Sequence, residues 1–522
     1  MIWPRSSGVL LHITSLATPH GIGDLGPSAR AFADWLALGK QSVWQMLPLT
    51  PTGYGDSPYQ ALSAFAGNPL LISLDDLVTD GLLDAADIAG PPSFPHAVVD
   101  YEAVKAWKLP LLRKAATRLR ASLLDASPLR PDYDAFVNDS SAWLSKYALF
   151  AALKHLHRER AWTQWEPRWR SFDPDTLRNA QHETGDGFLA DDIAFEIFAQ
   201  FLFDRQWRAL RKYCRERNIR LMGDLPIYVA HDSADVWTHP ELFHLNRDGS
   251  AKFVAGVPPD YFSATGQLWG NPIYCWEEHQ STGFAWWTAR MRHMLSQFDL
   301  IRVDHFRGFE AYWEVPGGDK TAQRGQWVKA PGMELFETLE RELGDLPVLA
   351  ENLGVITPEV EALRTRFQLP GMAILQFAFG TDPQAPYFKP HNYTHDRVAY
   401  TGTHDNDTVI GWWQRNQPSA TQSLAEIEAE RAFAKIYLHM QRGDNGAPED
   451  AVNWVFIRTL MASVASLVIF PMQDVLGLGT EARMNYPGTS SGNWRWRLSS
   501  PADQLRPADA ARLAHLAVTY ER

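Results

Sequence analysis

The chain has 522 residues, of which 45% are hydrophobic and 21% are charged. These proportions are ordinary for a globular protein and exclude a disordered, collagen-like or coiled-coil chain. Lysine and arginine together number 49, against 61 aspartates and glutamates, so the net charge is −12. An acidic chain without a Lys/Arg cluster is poorly suited to binding nucleic acid or an anionic membrane surface. We therefore expect a neutral or small-molecule partner.

The cysteines and the first residues predict a cellular compartment. Two cysteines, Cys214 and Cys275, are too few for a disulfide framework and lack the Cys/His spacing of zinc sites. No basic segment followed by an apolar one opens the chain, so no secretory signal peptide is predicted. The longest apolar stretch, around 460–470, contains two serines and is too short to span a bilayer. These features predict a cytoplasmic protein.

Eight short β-like runs recur along the chain, several of them ending in a polar or charged residue. They are Gly8–Leu11, Val43–Leu47, Ile219–Asp224, Leu300–Asp304, Val348–Glu351, Ala373–Phe377, Arg397–Thr401 and Leu467–Pro471. Helical patterns separate most of them, and eight strands are the number that a (β/α)₈ barrel requires. We therefore predict an α/β protein in which residues 1–522 form a single TIM barrel with insertions.

Two of the connections are too long for a single strand–helix unit. Residues 77–205 have apolar residues at helical spacing over Tyr101–Leu124 and Ser141–Arg158, which predicts a mainly helical insertion between the second and third strands. Residues 228–298 are rich in glycine, proline and aromatic residues. They predict a loop-rich subdomain above the barrel, between the third and fourth strands.

The segment Gly21–Gly26 reads GIGDLG and matches the dinucleotide-binding pattern GxGxxG. That pattern needs a strand immediately before the first glycine and a helix opening from the last. Pro19 lies two residues before the first glycine, and Pro27 is suited to the first position of a helix. We interpret the segment as a glycine-rich turn, so a nicotinamide-dependent oxidoreductase is not predicted.

Four acidic residues occupy the ends of predicted strands. Asp224, Asp304 and Glu351 end the third, fourth and fifth strands, and Asp405 follows the seventh. In a (β/α)₈ barrel these strand ends converge on the face that holds the active site. One acid at such a position is most often a salt-bridge partner or a helix cap. Four of them favour a catalytic cluster.

Crowded carboxylates repel one another, so their pKa values separate and one group stays ionised while another stays protonated. Glycoside cleavage needs such a pair, because one carboxylate attacks the anomeric carbon and one carboxylic acid protonates the leaving oxygen. Arg302 points to the same side of its strand as Asp304 and is expected to keep that carboxylate ionised. His404 and Asp405 are placed to bind sugar hydroxyls and the developing oxocarbenium charge. The 21 tryptophans and 16 tyrosines also suit sugar stacking.

Metal chemistry is a weaker interpretation of the same residues. The sequence Asp405-Asn406-Asp407 resembles the start of a calcium loop, but the glycine and the distant glutamate are missing at the required offsets. His155 and His157 are two residues apart on a predicted helix, so their side chains diverge. We therefore expect neither a metal nor an organic cofactor.

Eight sequence blocks carry a resemblance that extends over nearly the whole chain. They are GYGDSPYQALSAFAGNPLLI, GDLPIYVAHDSADVW, VAGVPPDYFSATGQLWGNPIY, IRVDHFRGFEAYW, VLAENLGVITPEVE, LPGMAILQFAFG, YTGTHDNDT and RMNYPGTSSGNWRWR. Through them the sequence resembles the 4-α-glucanotransferases (amylomaltases, or disproportionating enzymes) of glycoside hydrolase family 77 in the α-amylase superfamily. The resemblance implies that α-1,4-glucan segments are transferred to the 4-hydroxyl of an acceptor glucose or maltooligosaccharide.

The resemblance also implies roles for individual residues. Asp304 would be the nucleophile, Glu351 the general acid/base and Asp405 the stabiliser of the transition state. The residues that would bind sugar are Tyr59, Ser57, Asp224, Arg302, His404, Gln267, Trp269 and Asn485. A second glucan site would involve Tyr54 and Tyr101, and Val254–Tyr274 would be a loop that overhangs the cleft.

The chain departs from the family pattern at Asn352, where aspartate is more frequent, and at Ala264, where some relatives have glutamate. Both departures leave acceptor preference and product size open. Two rival functions also stay open. An α-amylase-type hydrolase would share the barrel and the acids, and only the family blocks favour transfer. A non-catalytic glucan-binding barrel is disfavoured by the complete set of acids.

Overall fold

A closed barrel of eight parallel strands forms the centre of the molecule. The structure is a computed structural model that describes residues 3–124, 127–175, 188–259, 265–418, 422–440, 451–489, 491–500 and 505–522. Its strands are β1 (Ser6–Leu10), β2 (Val43–Gln45), β3 (Arg220–Leu225), β4 (Phe253–Val257), β5 (Gln267–Pro272), β6 (Leu300–Val303), β7 (Ala311–Pro316), β8 (Gln326–Lys329), β9 (Val348–Ala350), β10 (Gly371–Ile374), β11 (Arg397–Tyr400) and β12 (Leu467–Pro471). The barrel order is β1-β2-β3-β6-β9-β10-β11-β12, closing onto β1.

The eight barrel strands are the eight that the sequence predicts, so the predicted TIM barrel is confirmed. They are short and almost wholly buried. Because both faces of such strands are covered, their sequences favour continuous apolar runs. Their ends shift slightly from the predicted positions. The largest shift is in β10, which begins at Gly371 and gives way to a 3₁₀ turn at Leu375–Ala378.

Helices cover the outside of the barrel and fill its long connections. Within the described ranges they are α1 (Pro27–Leu38), α2 (Leu74–Thr79), α3 (Tyr101–Leu124), α4 (Arg130–Asp139), α5 (Leu144–Leu156), α6 (Phe188–Arg215), α7 (Ala234–Thr238), α8 (Trp276–Ser281), α9 (Ala285–Gln297), α10 (Gly332–Leu343), α11 (Pro358–Arg366), α12 (Val409–Gln414), α13 (Leu424–Tyr437), α14 (Val452–Ala462), α15 (Met472–Leu476) and α16 (Pro507–Thr519). None of these described helices is both long and apolar enough to span a bilayer.

The connection between β2 and β3 contains helices α2 to α6, and α5 packs along α6. Tryptophans at its centre fill the core. The Trp165 ring is buried against Trp237 at a centroid distance of 5.8 Å, and the Trp162 indole N–H donates to the carbonyl of His231. These rings therefore fasten the insertion to the segment that follows β3. The proposed boundaries of the insertion, 77–205, and of the loop-rich region, 228–298, stay predictions.

A second, four-stranded antiparallel sheet has the order β5-β4-β7-β8. Its strands come from two different barrel connections: β4 and β5 precede β6, whereas β7 and β8 follow it. Sequence reasoning did not find this sheet. It matters for the site because the edge strand β5 carries Gln267 and Trp269, two of the residues for which sugar contacts are predicted.

The GIGDLG segment is a turn, as predicted. It follows a 3₁₀ turn at Ile13–Ser15 rather than a strand, and α1 begins at Pro27. The chain passes so close to itself here that a side-chain carbon on Gly23 would lie 1.9 Å from the carbonyl oxygen of Ile13. Glycine is therefore required by close backbone packing.

Candidate active site

The barrel register places the predicted acids side by side. β6 pairs with β3 through Val303 and Leu225, and with β9 through Val303 and Ala350. Asp304 and Glu351 are the residues that directly follow β6 and β9, so they leave the barrel at the same level. Their backbone N–H groups continue the pairing, because Asp304 donates to Leu225 and Glu351 donates to Val303, each at 3.0 Å.

Arg302 joins two of the acids beneath this face. Its Nη1 lies 2.8 and 2.7 Å from the two carboxylate oxygens of Asp224, and its Nη2 lies 2.8 Å from Oδ1 of Asp304. Burial alone would lower the pKa of Arg302, but Asp224 and Asp304 hold it well above its usual value. A permanent positive charge therefore contacts Asp304 directly.

The two carboxyl groups expected to perform the chemistry have separated pKa values. Burial raises the pKa of Asp304 to about 6, against the opposing effect of Arg302. Burial raises the pKa of Glu351 to about 8; Arg302 opposes this rise and the charge of Asp304 adds to it. Asp304 has the lower pKa because it is in direct contact with the guanidinium. Near neutral pH, Asp304 is therefore the ionised group and Glu351 the protonated one.

His305, the residue after Asp304, has an unusual backbone conformation that places a hydrogen-bond donor at Glu351. His305 lies in the left-handed region, with φ 48° and ψ 49°, which is rare outside glycine. This conformation directs its backbone N–H to Oε2 of Glu351 at 2.6 Å. Burial lowers the pKa of the His305 imidazole to about 3, so the ring is neutral. Its ring meets the ring of Trp269 edge-on at a centroid distance of 4.8 Å.

Tyr59 and His404 pack together beside Asp224. The Tyr59 hydroxyl donates to Oδ2 of Asp224 at 2.7 Å and lies 3.0 Å from Nε2 of His404. Since the hydroxyl has one hydrogen, it accepts the second bond, and the His404 hydrogen is therefore on Nε2. The two rings stack with centroids 5.3 Å apart, and Trp494 packs against both.

Asp405 is the most exposed of the four acids, with 45% of its side chain accessible. Asn485 orients it, because the side-chain amide of Asn485 donates to Oδ1 of Asp405 at 2.6 Å and its backbone N–H donates to the carbonyl of His404. Arg483 fixes both loops, donating to the backbone carbonyls of Asp405 at 2.6 Å and Asn485 at 2.7 Å. Sequence reasoning missed Arg483, although it begins the RMNYPG block.

Gln267, Trp269 and Ser57 are linked to the acids through neighbouring residues, Trp269 through His305 and Ser57 through Tyr59. The Trp269 indole N–H donates to Oε1 of Gln267 at 3.2 Å, and Gln60 donates to the Trp269 carbonyl at 3.3 Å. The Ser57 hydroxyl accepts from the backbone N–H of Tyr59 at 3.2 Å, which shapes the loop that presents that ring. Trp269 is half-buried, so part of its surface is accessible.

The loop expected to overhang the cleft, Val254–Tyr274, is described only in part. Residues 254–259 and 265–274 include most of β4 and the whole of β5, which pair with each other. The departure at Ala264 lies outside the described residues. The other departure, Asn352, turns away from Glu351: it accepts from the backbone N–H of Met372 and donates to Glu361. An aspartate could accept the first bond but, when ionised, could not donate the second.

The second glucan site expected at Tyr54 and Tyr101 stays a prediction. Tyr54 is 77% exposed, whereas Tyr101 is only 4% exposed and donates its hydroxyl hydrogen to the Trp494 carbonyl at 2.8 Å. The exposed ring surface at this position is therefore mainly that of Tyr54. The contact of Tyr101 supports Trp494, which packs behind Tyr59.

Known proteins provide an independent comparison. The family model described as 4-alpha-glucanotransferase, glycoside hydrolase 77, matches residues 11–503. The chain is 49% identical to the 4-alpha-glucanotransferase of Thermus thermophilus over 99% of both chains. It is 47% identical to that of Synechocystis sp. over 100% of this chain and 99% of the relative. A solved structure, the amylomaltase from Streptococcus agalactiae in complex with acarbose, is similar with a TM-score of 0.90, 37% identity and 99% coverage of both chains.

Proposed function

Since the chain belongs to the 4-alpha-glucanotransferase family, we propose that Asp304, Glu351 and Asp405 transfer α-1,4-glucan segments by a retaining double displacement. Donors and acceptors are α-1,4-glucans and maltooligosaccharides, and glucose is an acceptor. One observation carries the assignment of roles. Arg302 contacts Asp304 and holds it ionised, while Glu351 is protonated in the same cluster.

In the first step the ionised carboxylate of Asp304 attacks the anomeric carbon of the donor. The bond to the glycosidic oxygen breaks, and Glu351 gives its proton to that oxygen as the reducing-end fragment leaves. Oε2 of Glu351 already accepts the His305 N–H at 2.6 Å. We assign the transferred proton to the other oxygen, Oε1. The products are a glucosyl ester on Asp304 and an ionised Glu351.

In the second step Glu351 acts as a base. It takes the proton of the acceptor 4-hydroxyl while the oxygen of that hydroxyl attacks the anomeric carbon, and the Asp304 carboxylate leaves. Two successive inversions retain the α configuration. The resting protonation states of both carboxyl groups are restored, so each cycle consumes one donor bond and forms one product bond.

The surrounding residues stabilise charge that develops on the sugar. Asp405 is held by Asn485 and is half-exposed at the edge of the cluster. Its carboxylate can therefore accept hydrogen bonds from hydroxyls of the distorted sugar and stabilise the positive charge that develops on the anomeric carbon. The Tyr59 hydroxyl is already fixed by Asp224, and Nε2–H of His404 is fixed by that hydroxyl. Such fixed dipoles need little reorganisation during the reaction.

Transfer requires that a sugar hydroxyl competes with water for the ester on Asp304. An acceptor held at attack distance reaches an effective concentration of about 10⁵ M or more, far above that of water. Trp269 supplies an aromatic surface beside the Asp304–His305 turn for docking such an acceptor, and Gln267 is fixed next to it. An amylase-type hydrolase has the same acids, so the outcome depends on this acceptor side.

The product pattern from maltotriose separates the two outcomes. A transferase converts maltotriose to glucose and a ladder of longer α-1,4-glucans while the total number of reducing ends stays nearly constant. Chromatography of the products together with a reducing-end assay measures both quantities. A steady rise in reducing ends without longer products would instead establish a hydrolase.

We propose further that catalysis needs neither metal nor organic cofactor, because Arg302 supplies the positive charge beside Asp304. Activity should survive exhaustive treatment with EDTA, and a loss that calcium restores would contradict this. We also propose a cytoplasmic location, which is supported by two cysteines that are both free thiols.

A further inference from the structure

Three metal-ligating side chains meet at a place that the proposed reaction does not use. A ring nitrogen of His244, Sγ of Cys275 and a carboxylate oxygen of Glu277 all lie within 4.8 Å of one another. Sγ of Cys275 is 3.7 Å from Oε2 of Glu277. The three residues are 31 and two positions apart in sequence, so no local zinc motif marks the cluster.

The backbone holds two of these residues together. His244 precedes β4 and Cys275 follows β5, and their neighbours Phe243 and Tyr274 form an antiparallel bridge. The His244 N–H donates to the Ile273 carbonyl, and the Cys275 N–H donates to the Leu242 carbonyl, each at 2.9 Å.

The bridge is firmly anchored in the core. Tyr274 is fully buried, donates its hydroxyl hydrogen to the Ile227 carbonyl at 2.8 Å, and packs on Phe243 with ring centroids 5.2 Å apart. The positions of His244 and Cys275 are therefore set by the fold before any ligand arrives. Glu277 lies in the first turn of α8, immediately after them.

The spacing suits a tetrahedral cation. With zinc bonds of about 2.0–2.3 Å, donor atoms lie about 3.5 Å apart. The Cys275–Glu277 distance of 3.7 Å is close to this value. Nitrogen, sulfur and carboxylate ligands favour zinc-like ions, whereas calcium and magnesium require mostly oxygen.

We propose that His244, Cys275 and Glu277 form a binding site for a zinc-class divalent cation, with water as the fourth ligand. The site connects the chain entering β4 with the chain leaving β5. It therefore clamps the base of the strand pair that carries Gln267 and Trp269. The cation acts on the stability of this sheet and takes no part in the chemistry at Asp304.

A reactive thiol is the competing interpretation of Cys275. Burial raises the pKa of its thiol, and the charges of Glu277 and Glu278 add to the rise. A thiol with a raised pKa has little thiolate and is a weak nucleophile at neutral pH. A bound cation overcomes the same obstacle by displacing the proton, so that binding releases one proton per site.

Titration of the EDTA-treated full-length enzyme with Co²⁺ under reducing conditions, without glucan, tests the proposal. We expect one Co²⁺ per chain with a thiolate-to-cobalt charge-transfer absorption, which Zn²⁺ abolishes by displacement. Cys275→Ser should remove the absorption and Cys214→Ser should retain it. Glu277→Gln should weaken Co²⁺ binding about tenfold or more, whereas the neighbouring Glu278→Gln, which removes a nearby charge but no ligand, should weaken it much less.

Three results would overturn the site: no charge-transfer absorption at saturating Co²⁺, an absorption that survives Cys275→Ser, or equal binding by the two glutamate variants. The thermal unfolding midpoint without metal checks that each variant is folded. Glu277→Gln, at an exposed position, keeps the test decisive if the cysteine variant unfolds. Because glucan is absent, the result is independent of the proposed transfer reaction.

Discussion

The barrel-end acids and the edge strand β5 of the four-stranded sheet are fixed to very different degrees. In the barrel, Arg302 and Tyr59 converge on Asp224, whose side chain is fully buried, and Arg302 also contacts Asp304. On β5, Trp269 is half-buried, and its indole N–H is bonded to Gln267 in the same strand. The first region has a single arrangement enforced from several sides.

We propose that the two regions divide the two tasks of the reaction. Breaking a glycosidic bond requires charges at fixed positions, so it is performed where the barrel register dictates them. Accepting sugars of different lengths requires apolar surface that tolerates several positions, which a half-exposed ring provides. Changes in the barrel should therefore alter the rate of chemistry, and changes on β5 should alter which acceptor is used.

The largest effect is expected for Glu351→Gln. The loss of the proton donor should lower kcat/KM on maltotriose by about 10²–10⁴-fold. An α-maltotriosyl fluoride donor should react with nearly the original first-step rate, because fluoride leaves without protonation. Stopped-flow measurement of fluoride release compares the two donors. Equal losses on both donors would contradict the role of Glu351 as an acid.

The pH profile provides the control for that variant. Asp304 must be ionised, so kcat/KM of the unmodified enzyme should fall below a pH of about 6; Glu351 must be protonated, so it should also fall above about 8. With the fluoride donor, which needs no protonation, the alkaline decline should be absent from both the unmodified enzyme and Glu351→Gln, and the acid decline should remain in both. An unchanged alkaline decline would show that a group other than Glu351 causes it.

A smaller effect is expected for Arg483→Gln, which removes the bonds to the Asp405 and Asn485 carbonyls. Displacement of Asp405 should lower kcat about 10- to 100-fold with little change in KM. Steady-state kinetics on maltotriose measures the effects on kcat and on KM separately. Arg431→Gln is the matched control, because Arg431 also donates to a backbone carbonyl, that of Trp413. If both variants had equal effects, Arg483 would contribute only to general stability and not to the position of Asp405.

Trp269→Ala should change acceptor use rather than chemistry. Loss of a stacking surface is worth about 0.5–1.5 kcal/mol, so the acceptor KM should rise about twofold to thirteenfold, and the hydrolysed fraction should increase. The ratio of transfer products to hydrolysis products at increasing glucose concentrations gives both the acceptor KM and the hydrolysed fraction. Trp327→Ala, on the opposite edge strand β8, is the matched control. A shifted pH profile in Trp269→Ala would show that the two regions are not separable.

The smallest effect distinguishes the two tyrosines. Tyr101→Phe should lower the free energy of unfolding by about 1 kcal/mol, because the Trp494 carbonyl loses a buried hydrogen bond. Tyr54→Phe, at an exposed position, should leave stability unchanged. Denaturant unfolding of both variants provides the comparison. An unchanged stability in Tyr101→Phe would contradict the supporting role of Tyr101.

Residues at strand ends were predictable from the sequence because one regular geometry places them. The alternation within a strand puts Arg302 beside Asp304, and parallel register puts Asp304 beside Glu351. The four-stranded sheet was not predictable, because its strands pair across two separate connections and each run is short. His305 gave no signal either, since only its left-handed backbone directs an N–H to Glu351.

The burial of Tyr101 was not predictable for a related reason. A tyrosine at the start of a helix has the same sequence appearance whether its ring faces solvent or packs into the core. Its burial is decided by the segment around Trp494, almost 400 residues away, whose carbonyl accepts the hydroxyl hydrogen. Long-range packing of this kind is invisible to periodicity.

The central claim is that Asp304 becomes covalently glycosylated while Glu351 supplies the proton. The most direct measurement is the mass of the Glu351→Gln chain after incubation with α-maltotriosyl fluoride without an acceptor, followed by peptide mapping. The account predicts one added maltotriosyl group, located on the peptide that contains Asp304. An unmodified chain despite fluoride release, or a sugar attached to another carboxylate, would contradict it.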